Sequence, residues 1–287
     1  MASMFRRMVV VGIGLIGGSL ALAARKRSLV EEIIGYGRGE KNLRMALRRG
    51  IIDRYCSDVA EIPRGTDLLI LATPVQSTAS VAASFVPSLE AGCLVSDVGS
   101  VKAQIVREME RLLPSHIPFV GAHPIAGSEQ WGAQAARPEL FLGQRCILTP
   151  GGNTDPVALK RMVCFWRGLG AKVEVMDPRL HDRILAVVSH LPHVLAYALV
   201  NTLSRTEVDS VDLKDYCSGG FKDFTRIASS RPELWRDICL VNRRQISRSL
   251  GDYIKCLQRM RQWIRDREGN LLEREFARAN EIRRQIS

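Results

Sequence analysis

Three glycines near the start of the chain are spaced so that they can bring backbone close to a phosphate. Gly12, Gly14 and Gly17 form a GxGxxG motif between an apolar run and a segment of helical periodicity. The first glycine permits a tight turn, the second lets the backbone approach a pyrophosphate, and the third lets helix pack on strand. Amides at the start of that helix, near Leu15 and Ile16, would complete the anion site. The motif therefore predicts dinucleotide binding.

The next candidate residues bear on which dinucleotide is bound. An NAD enzyme usually places Asp or Glu about twenty residues after the motif, where it contacts the ribose hydroxyls. This sequence has Gly37 and Arg38 there. Because no carboxylate repels it, a 2′-phosphate could be held by Arg38 and Lys41, which favours NADP. In the alternative, Arg38 stacks on the adenine or faces water and NAD is used.

Two later segments follow apolar runs and are expected at the edge of the sheet where ligands bind. In the first, ATPVQST at 72–78, Thr73 and Pro74 are candidate cofactor neighbours. In the second, SDVGSVK at 96–102, Ser100 is the candidate. Ser100 has an alternative role as a helix N-cap, since serine often precedes a helix.

His123 is the candidate general base. It stands at the tip of a predicted strand in FVGAHPIAGSEQWG at 119–132. A histidine at this edge of a nucleotide-binding sheet can accept a proton at neutral pH. The alternative is a structural histidine that caps a turn.

The second half of the chain adds further polar candidates. His181, His190 and His193 lie near the start of a long apolar segment, but no carboxylate stands at ligand spacing and hydride transfer needs no metal, so no metal site is expected. Arg226 could clamp a substrate carboxylate in bidentate fashion. Alternatively, Arg226 pairs with Asp223 at the surface of a helix.

The elements that must position these residues are visible as seven short apolar runs that alternate with helical segments. This alternation predicts a Rossmann-type doubly wound parallel sheet with helices on both faces. The predicted strands are residues 8–11, 31–36, 67–73, 93–98, 118–124, 145–150 and 171–177.

Strand signals stop after Asp177, and the rest of the chain reads as helical. We expect a dinucleotide-binding domain over 1–178 and an all-α domain over 179–287. Apolar residues with spacings of four and three residues predict a helix that needs a partner, and Gly269 with Asn270 should separate it from a last helix. An intramolecular bundle and a homodimer interface remain equal alternatives. The stripe consists of Ile246, Leu250, Tyr253, Leu257, Met260 and Ile264.

Composition narrows the class of protein. The 287 residues carry a net charge of +11, but the basic residues are scattered among 30 acidic ones, which disfavours nucleic acid and suits a small anionic substrate. Seven cysteines without a CxxC pair suggest reduced, mostly buried thiols and a cytoplasmic protein. We expect neither a signal peptide nor a membrane span, since the short apolar run at the start leads directly into glycines and no apolar stretch approaches the roughly 18 to 20 residues of a span.

Six ordered motifs resemble those of the prephenate and arogenate dehydrogenase family of tyrosine biosynthesis. They are VGIGLIGGSLALA, LATPV, SDVGSVK, GAHPIAGSE, HDRILAVVSHLPH and GGFKDFTRIA, and they cover nearly the whole chain. The resemblance implies a Rossmann domain, a helical dimerisation domain and an active site in the cleft between them. It also implies oxidative decarboxylation of prephenate or arogenate with hydride transfer to NAD(P)+.

The resemblance further implies roles for individual residues. His123 would bond the ring hydroxyl of the substrate and take its proton, and Ser100 would bridge His123 and the nicotinamide or the hydroxyl. Arg226 would hold a substrate carboxylate, with Glu129 as its partner in a gate. The remaining residues implied near the substrate are Ser128, His193, Gly219 and, with less support, His181. Gly37 with Arg38 departs from the acidic residue of many members.

Two other functions stay open at this stage. One is a two-domain dehydrogenase for a β-hydroxyacid or an imine, with Lys222 as the acid. The other is a nucleotide-sensing binding protein without enzymatic activity.

Overall fold

The computed structural model describes residues 3–128, 130–209 and 211–286. Its first half is built around one sheet with the strand order β3-β2-β1-β4-β5-β6-β7-β8. The strands are β1 (Phe5–Val11), β2 (Val30–Tyr36), β3 (Arg54–Cys56), β4 (Leu68–Leu71), β5 (Leu94–Asp97), β6 (Phe119–Pro124), β7 (Arg145–Thr149) and β8 (Lys172–Val175).

Helices flank the sheet and continue beyond it. Those of the sheet region are α1 (Leu15–Lys26), α2 (Glu40–Arg48), α3 (Thr78–Phe85), α4 (Ala103–Leu112) and α5 (Pro156–Gly168). The later ones are α6 (Pro178–Leu185), α7 (Leu191–Arg205), α8 (Gly219–Thr225), α9 (Pro232–Val241), α10 (Arg243–Arg265) and α11 (Gly269–Gln285).

The predicted doubly wound sheet is confirmed, with two corrections. All neighbouring strands are parallel except β6 and β7, which are antiparallel. In its described residues, the connection between these two holds only the short helical turn Ala133–Ala135. A longer crossover helix would be needed to return the chain in parallel. The edge strand β3 was not predicted, because its three residues contain too short an apolar pattern.

The core lies against the sheet, where strand residues are buried on both faces. All four residues of β4 and all four of β5 are buried, as expected of central strands. Beside the sheet, Phe165 and Trp166 of α5 meet Phe5 and Phe141 edge to face. This core fixes the sheet edge from which the functional loops emerge.

One continuous helical segment, Pro178–Arg205, carries the residues that face this edge. Asp177 caps it by accepting the backbone N–H groups of Arg179 and Leu180. Its middle, Ala186–His190, is a π-helical turn, which separates α6 from α7. Pro192 lacks an N–H group and so cannot satisfy the carbonyl one turn before it, a common cause of such irregularity.

The same segment corrects an expectation about membranes. By length and composition alone, its 28 residues are apolar enough to cross a membrane, contrary to the prediction that no stretch approaches this limit. Only 22% of its most apolar window is buried within the described chain. Val187 and Val188 are among its exposed apolar residues.

The chain divides into two compact units, one that extends to Asn242 and one that begins at Arg243. The second unit contains α10 and α11, which pack on each other. The break predicted at Gly269 and Asn270 lies at 266–268 instead, and these two residues are the first of α11. Leu257 and Ile264 of the predicted apolar stripe are exposed. The domain boundary after residue 178 stays a prediction.

The seven cysteines are all free, and three of them are buried, namely Cys56, Cys93 and Cys146. The expectation that most are buried is therefore too strong. Within the described ranges, no group of three or more His, Cys, Asp or Glu residues is placed to hold a metal ion.

Candidate active site

The glycine motif lies where the order of the strands reverses, between β1 and β4. Gly12 has a φ of +97°, and a Cβ atom on it would lie 2.5 Å from the carbonyl oxygen of Ala72. A Cβ atom on Gly17 would overlap the carbonyl oxygen of Gly12. Gly14 has open space where a Cβ would stand, directly before the N-terminus of α1 at Leu15. The motif therefore fits a dinucleotide pyrophosphate, with free backbone amides and room for the ligand.

Further residues support this loop. Thr73 and Pro74 follow β4 directly at the same reversal point, and Thr73 Oγ1 lies 3.4 Å from Thr78 Oγ1. Asn42 donates to the carbonyl oxygen of Ile13 over 2.7 Å and accepts from the backbone of Ala133. No local pattern indicates this role of Asn42, since its partners Ile13 and Ala133 are far along the chain.

Arg38 is exposed in the loop between β2 and α2, where the ribose of a bound dinucleotide is expected. The neighbouring acid Glu40 pairs with Arg44 over 2.7 Å. The carboxylate nearest to Arg38 in sequence is therefore already paired with an arginine of α2.

His123 lies one residue before the end of β6, at the same edge of the sheet, since β1, β4, β5 and β6 run in parallel. Its side chain is 8% exposed, and its Nδ1 atom lies 2.8 Å from Nε2 of His181. Nδ1 of His181 lies 2.8 Å from Oδ1 of Asp182. A histidine from the sheet and a histidine from α6 are therefore joined in one buried chain that ends on a carboxylate.

A buried ion pair lies next to these three hydrogen-bonded side chains. The ammonium group of Lys102 contacts Oδ2 of Asp97 and donates to the carbonyl oxygen of Ala122 over 2.8 Å. Asp182 accepts the backbone N–H groups of Lys102 and Ala103, at 2.8 and 2.9 Å. The start of α4 is thus capped by a carboxylate from α6, and the loop after β5, strand β6 and helix α6 are held together.

Burial keeps the histidines of this cluster neutral. It lowers the pKa of His123 well below the ordinary value of 6.5, and His181 and the positive charge of Lys102 lower it further. Burial also lowers the pKa of His181, although Asp182 opposes the change. The pKa of His190 falls to about 4, again through burial. At neutral pH His123 therefore has a lone pair that can accept a proton.

The π-helical turn and the start of α7 bring two more histidines to this region. Nδ1 of His190 lies 3.1 Å from Nδ2 of Asn242, which also donates to the carbonyl oxygen of Asp182. His193 stacks on Trp235 with ring centroids 3.6 Å apart, and its Nδ1 atom bonds the carbonyl oxygen of Ser189.

The predicted substrate residues lie on two loops that approach each other. Arg226 is exposed at the end of α8, which begins at Gly219 and packs against α7. Ser128 is exposed in the loop after β6, and its Oγ atom accepts the backbone N–H of Gln130. Trp131 and Arg231 join the two loops, with the guanidinium 5.8 Å from the ring centroid. Glu129 lies outside the described residues.

Ser100 is half-buried in the loop between Asp97 and Lys102, but it does not cap α4, because Asp182 does so. Nδ1 of His123 is bonded to His181 rather than to Ser100. Lys222, the acid of the alternative dehydrogenase class, is exposed on α8.

Comparison with known proteins assigns the family. The sequence model described as prephenate dehydrogenase, nucleotide-binding domain, matches residues 20–175, and the one described as prephenate dehydrogenase, dimerization domain, matches residues 177–278. The chain belongs to the prephenate dehydrogenase family.

Individual members of the prephenate dehydrogenase family agree with this assignment. A prephenate dehydrogenase of Bacillus subtilis is 36% identical over 96% of this chain and 75% of its own length. A cyclohexadienyl dehydrogenase of Zymomonas mobilis is 33% identical over 98% of this chain and 96% of its own length. The crystal structure of Aquifex aeolicus prephenate dehydrogenase in complex with hydroxyphenyl propionate and NAD+ is similar with a TM-score of 0.94, 36% identity and 98% coverage of both chains.

Proposed function

We propose that this member of the prephenate dehydrogenase family oxidatively decarboxylates prephenate, arogenate or both, using NAD(P)+. The observation that carries the proposal is the buried, neutral His123 at the same sheet edge as the dinucleotide motif. The alternative class with a lysine acid is not favoured, because Lys222 is exposed and the family is assigned.

In the proposed reaction, His123 acts at the ring hydroxyl of the substrate. Nε2 of His123 takes the hydroxyl proton, which breaks the O–H bond and pushes its electron pair towards the ring carbon. A dinucleotide held at the glycine motif would supply the acceptor for the hydride that leaves that carbon. The bond to the ring carboxylate then breaks, carbon dioxide leaves, and the electron pair completes the aromatic ring. His123 returns its proton to the ring oxygen, so the histidine ends neutral as it began.

The substrate is an anion, and the proposed binding residues suit it. Arg226 holds a carboxylate, because a guanidinium can donate two parallel hydrogen bonds to it. We propose that Ser100, in the loop between β5 and α4, contacts the nicotinamide or the substrate hydroxyl. The other proposed binding residues are Ser128, Glu129, His193 and Gly219. The net charge of +11 favours the approach of such an anion.

For the cofactor, we propose a preference for NADP+. Arg38 is exposed at the ribose end of the site, and the nearby carboxylate of Glu40 is paired with Arg44. A 2′-phosphate therefore meets a free positive surface and no unpaired carboxylate on this loop.

We propose a homodimer that forms through the helical second half. Residues 177–278 match a dimerization domain, and the helical segment Pro178–Arg205 exposes apolar residues such as Val187 and Val188. A second copy of the chain would cover them. Seven free cysteines and a soluble substrate support a cytoplasmic location.

The test is an assay of the purified protein with prephenate and with arogenate, each with NAD+ and with NADP+, in which reduced nicotinamide is followed by absorbance. We expect turnover with at least one pair. In His123→Asn, kcat should fall about 100- to 10,000-fold, the usual effect of losing a general base. The matched control is His116→Asn, an exposed histidine. Undiminished kcat in His123→Asn would contradict the assignment of the base.

A further inference from the structure

Asp182 determines which ring nitrogen of His181 carries the proton. As a carboxylate, Asp182 only accepts hydrogen bonds, and its two oxygens already accept from Lys102 N and Ala103 N. Its position is therefore fixed by the backbone at the start of α4. Oδ1 lies 2.8 Å from Nδ1 of His181, so Nδ1 must be the donor. Neutral His181 then has its lone pair on Nε2.

The same reasoning applies to the next hydrogen bond, between His181 and His123. Nε2 of His181 is an acceptor and lies 2.8 Å from Nδ1 of His123. His123 must therefore carry its hydrogen on Nδ1 in order to donate. In a neutral imidazole the lone pair is then on Nε2. This is the nitrogen that the proposed function requires to be unprotonated.

The groups around His123 keep it neutral before the reaction. Lys102, which is paired with Asp97, faces it from the loop after β5, and His181 with its partner Asp182 comes from α6. Burial, His181, Lys102 and His190 all lower the pKa of His123. The resting histidine therefore carries one hydrogen, and the hydrogen bond to His181 assigns it to Nδ1.

We propose that His181 and Asp182 are positioning residues for the reaction. They hold His123 in the tautomer whose Nε2 lone pair is free to take the substrate proton. In a catalytic triad, a carboxylate orients the catalytic histidine directly. Here a second imidazole, that of His181, lies between the carboxylate and the base. This inference rests on the proposed function, in which His123 is the base.

The direct test reads the tautomer in the unmodified protein by nitrogen-15 NMR of labelled histidine. The chain has 5 histidines, and the signals of His123 are those lost in His123→Asn. We expect His123 to be protonated at Nδ1 and unprotonated at Nε2 in the resting enzyme. A resting His123 with its hydrogen on Nε2 would overturn the inference without any further variant.

Two variants of His181 test the consequence for catalysis. In His181→Gln the amide lies about where Nε2 was and can still accept from His123, whereas in His181→Asn it lies about where Nδ1 was and cannot reach. We expect kcat to fall about tenfold or more in His181→Asn, with little change in KM, and to recover in His181→Gln. His123 in His181→Asn should show both tautomers. Equal kcat in the two variants and the unmodified enzyme would contradict the inference.

The experiments distinguish a failure of the proposed function from a failure of the positioning role of His181 and Asp182. If no substrate and cofactor pair is turned over but His123 shows the expected tautomer, the proposed function fails and the positioning of His123 stands. If turnover is found but His123 carries its hydrogen on Nε2, the function stands and the positioning role of His181 and Asp182 fails.

Discussion

At the residue scale, the buried histidines make the stability of the protein depend on pH. Burial lowers the pKa of His123, His181 and His190 in the folded chain, for His190 to about 4, whereas an unfolded histidine titrates near 6.5. Protons therefore bind the unfolded chain more readily. The contribution of these histidines to the free energy of unfolding is complete above about pH 6.5. It falls as the pH drops towards their pKa values in the folded chain.

This predicts a lower free energy of unfolding at pH 5.5 than at pH 7.5, by about 1 kcal/mol for each histidine that stays neutral. Urea unfolding at fixed protein concentration measures it. His190→Gln should reduce the difference, while His116→Gln, at an exposed histidine, should leave it unchanged. Equal pH dependence in His190→Gln and the unmodified protein would contradict the role of His190.

A second residue-scale prediction concerns the cofactor. Arg38→Ala should lower kcat/KM for NADP+ by about tenfold, the effect of roughly 1.4 kcal/mol, and leave the value for NAD+ nearly unchanged, because only NADP+ has the 2′-phosphate. The measurement is the ratio of the two kcat/KM values. Arg48→Ala, at an exposed arginine at the end of α2, is the control and should keep the ratio. A ratio unaffected by Arg38→Ala would favour the alternative in which Arg38 does not contact a phosphate.

Sequence reasoning found the residues at the ends of strands and missed those that act through distant partners. His123 and the glycines were predicted because their chemistry is visible in the local pattern. The role of Asp182 was not predicted, since its carboxylate meets the backbone N–H groups of Lys102 and Ala103 only after α6 packs on α4. The N-cap alternative for Ser100 failed for the same reason, because the cap comes from another helix.

At the element scale, two glycines of one motif have separable roles. Gly17 lets α1 pack on β1, since a Cβ there would overlap the carbonyl oxygen of Gly12 and lie 2.9 Å from Cβ of Ala72. Gly14 faces open space and has an ordinary φ of −97°. The first is required by the fold, and the second by the ligand.

We therefore expect different results from Gly17→Ala and Gly14→Ala. Gly17→Ala should destabilise the protein by about 1 to 3 kcal/mol through overpacking and weaken cofactor binding as well. Gly14→Ala should keep the thermal stability but weaken binding, because its methyl group meets the pyrophosphate. Thermal unfolding and titration with the reduced cofactor measure the two effects. Unchanged cofactor affinity in Gly14→Ala would contradict the assigned position of the pyrophosphate.

Strands and helices are predicted correctly where their apolar pattern extends over enough residues to be recognised. Seven strands were located from apolar runs, whereas β3 was missed because only Cys56 of its three residues is buried. The π-helical turn at Ala186–His190 was not predicted either. Pro192 marks an irregularity there, but a proline permits a kink, a helix start or a π-turn, and packing selects among them.

At the scale of the whole molecule, the exposed apolar face of Pro178–Arg205 predicts association. Val188→Glu should shift the proposed dimer to a monomer, because a charge would be buried in the interface. The matched control is Val157→Glu on α5, since both valines are 65% exposed. Light scattering coupled to gel filtration measures the mass. An unmodified protein that is monomeric, or a dimeric Val188→Glu, would contradict the interface.

The bond of 2.8 Å between His123 and His181 also limits how such enzymes can be recombined. His123 lies in the segment that matches the nucleotide-binding model, and His181 with Asp182 lies in the segment that matches the other model, which begins at residue 177. A chimera joined at that seam takes its base from one parent and the partner that orients it from the other. Hybrid enzymes spliced between relatives should therefore stay active only when both parents place an equivalent acceptor opposite the base.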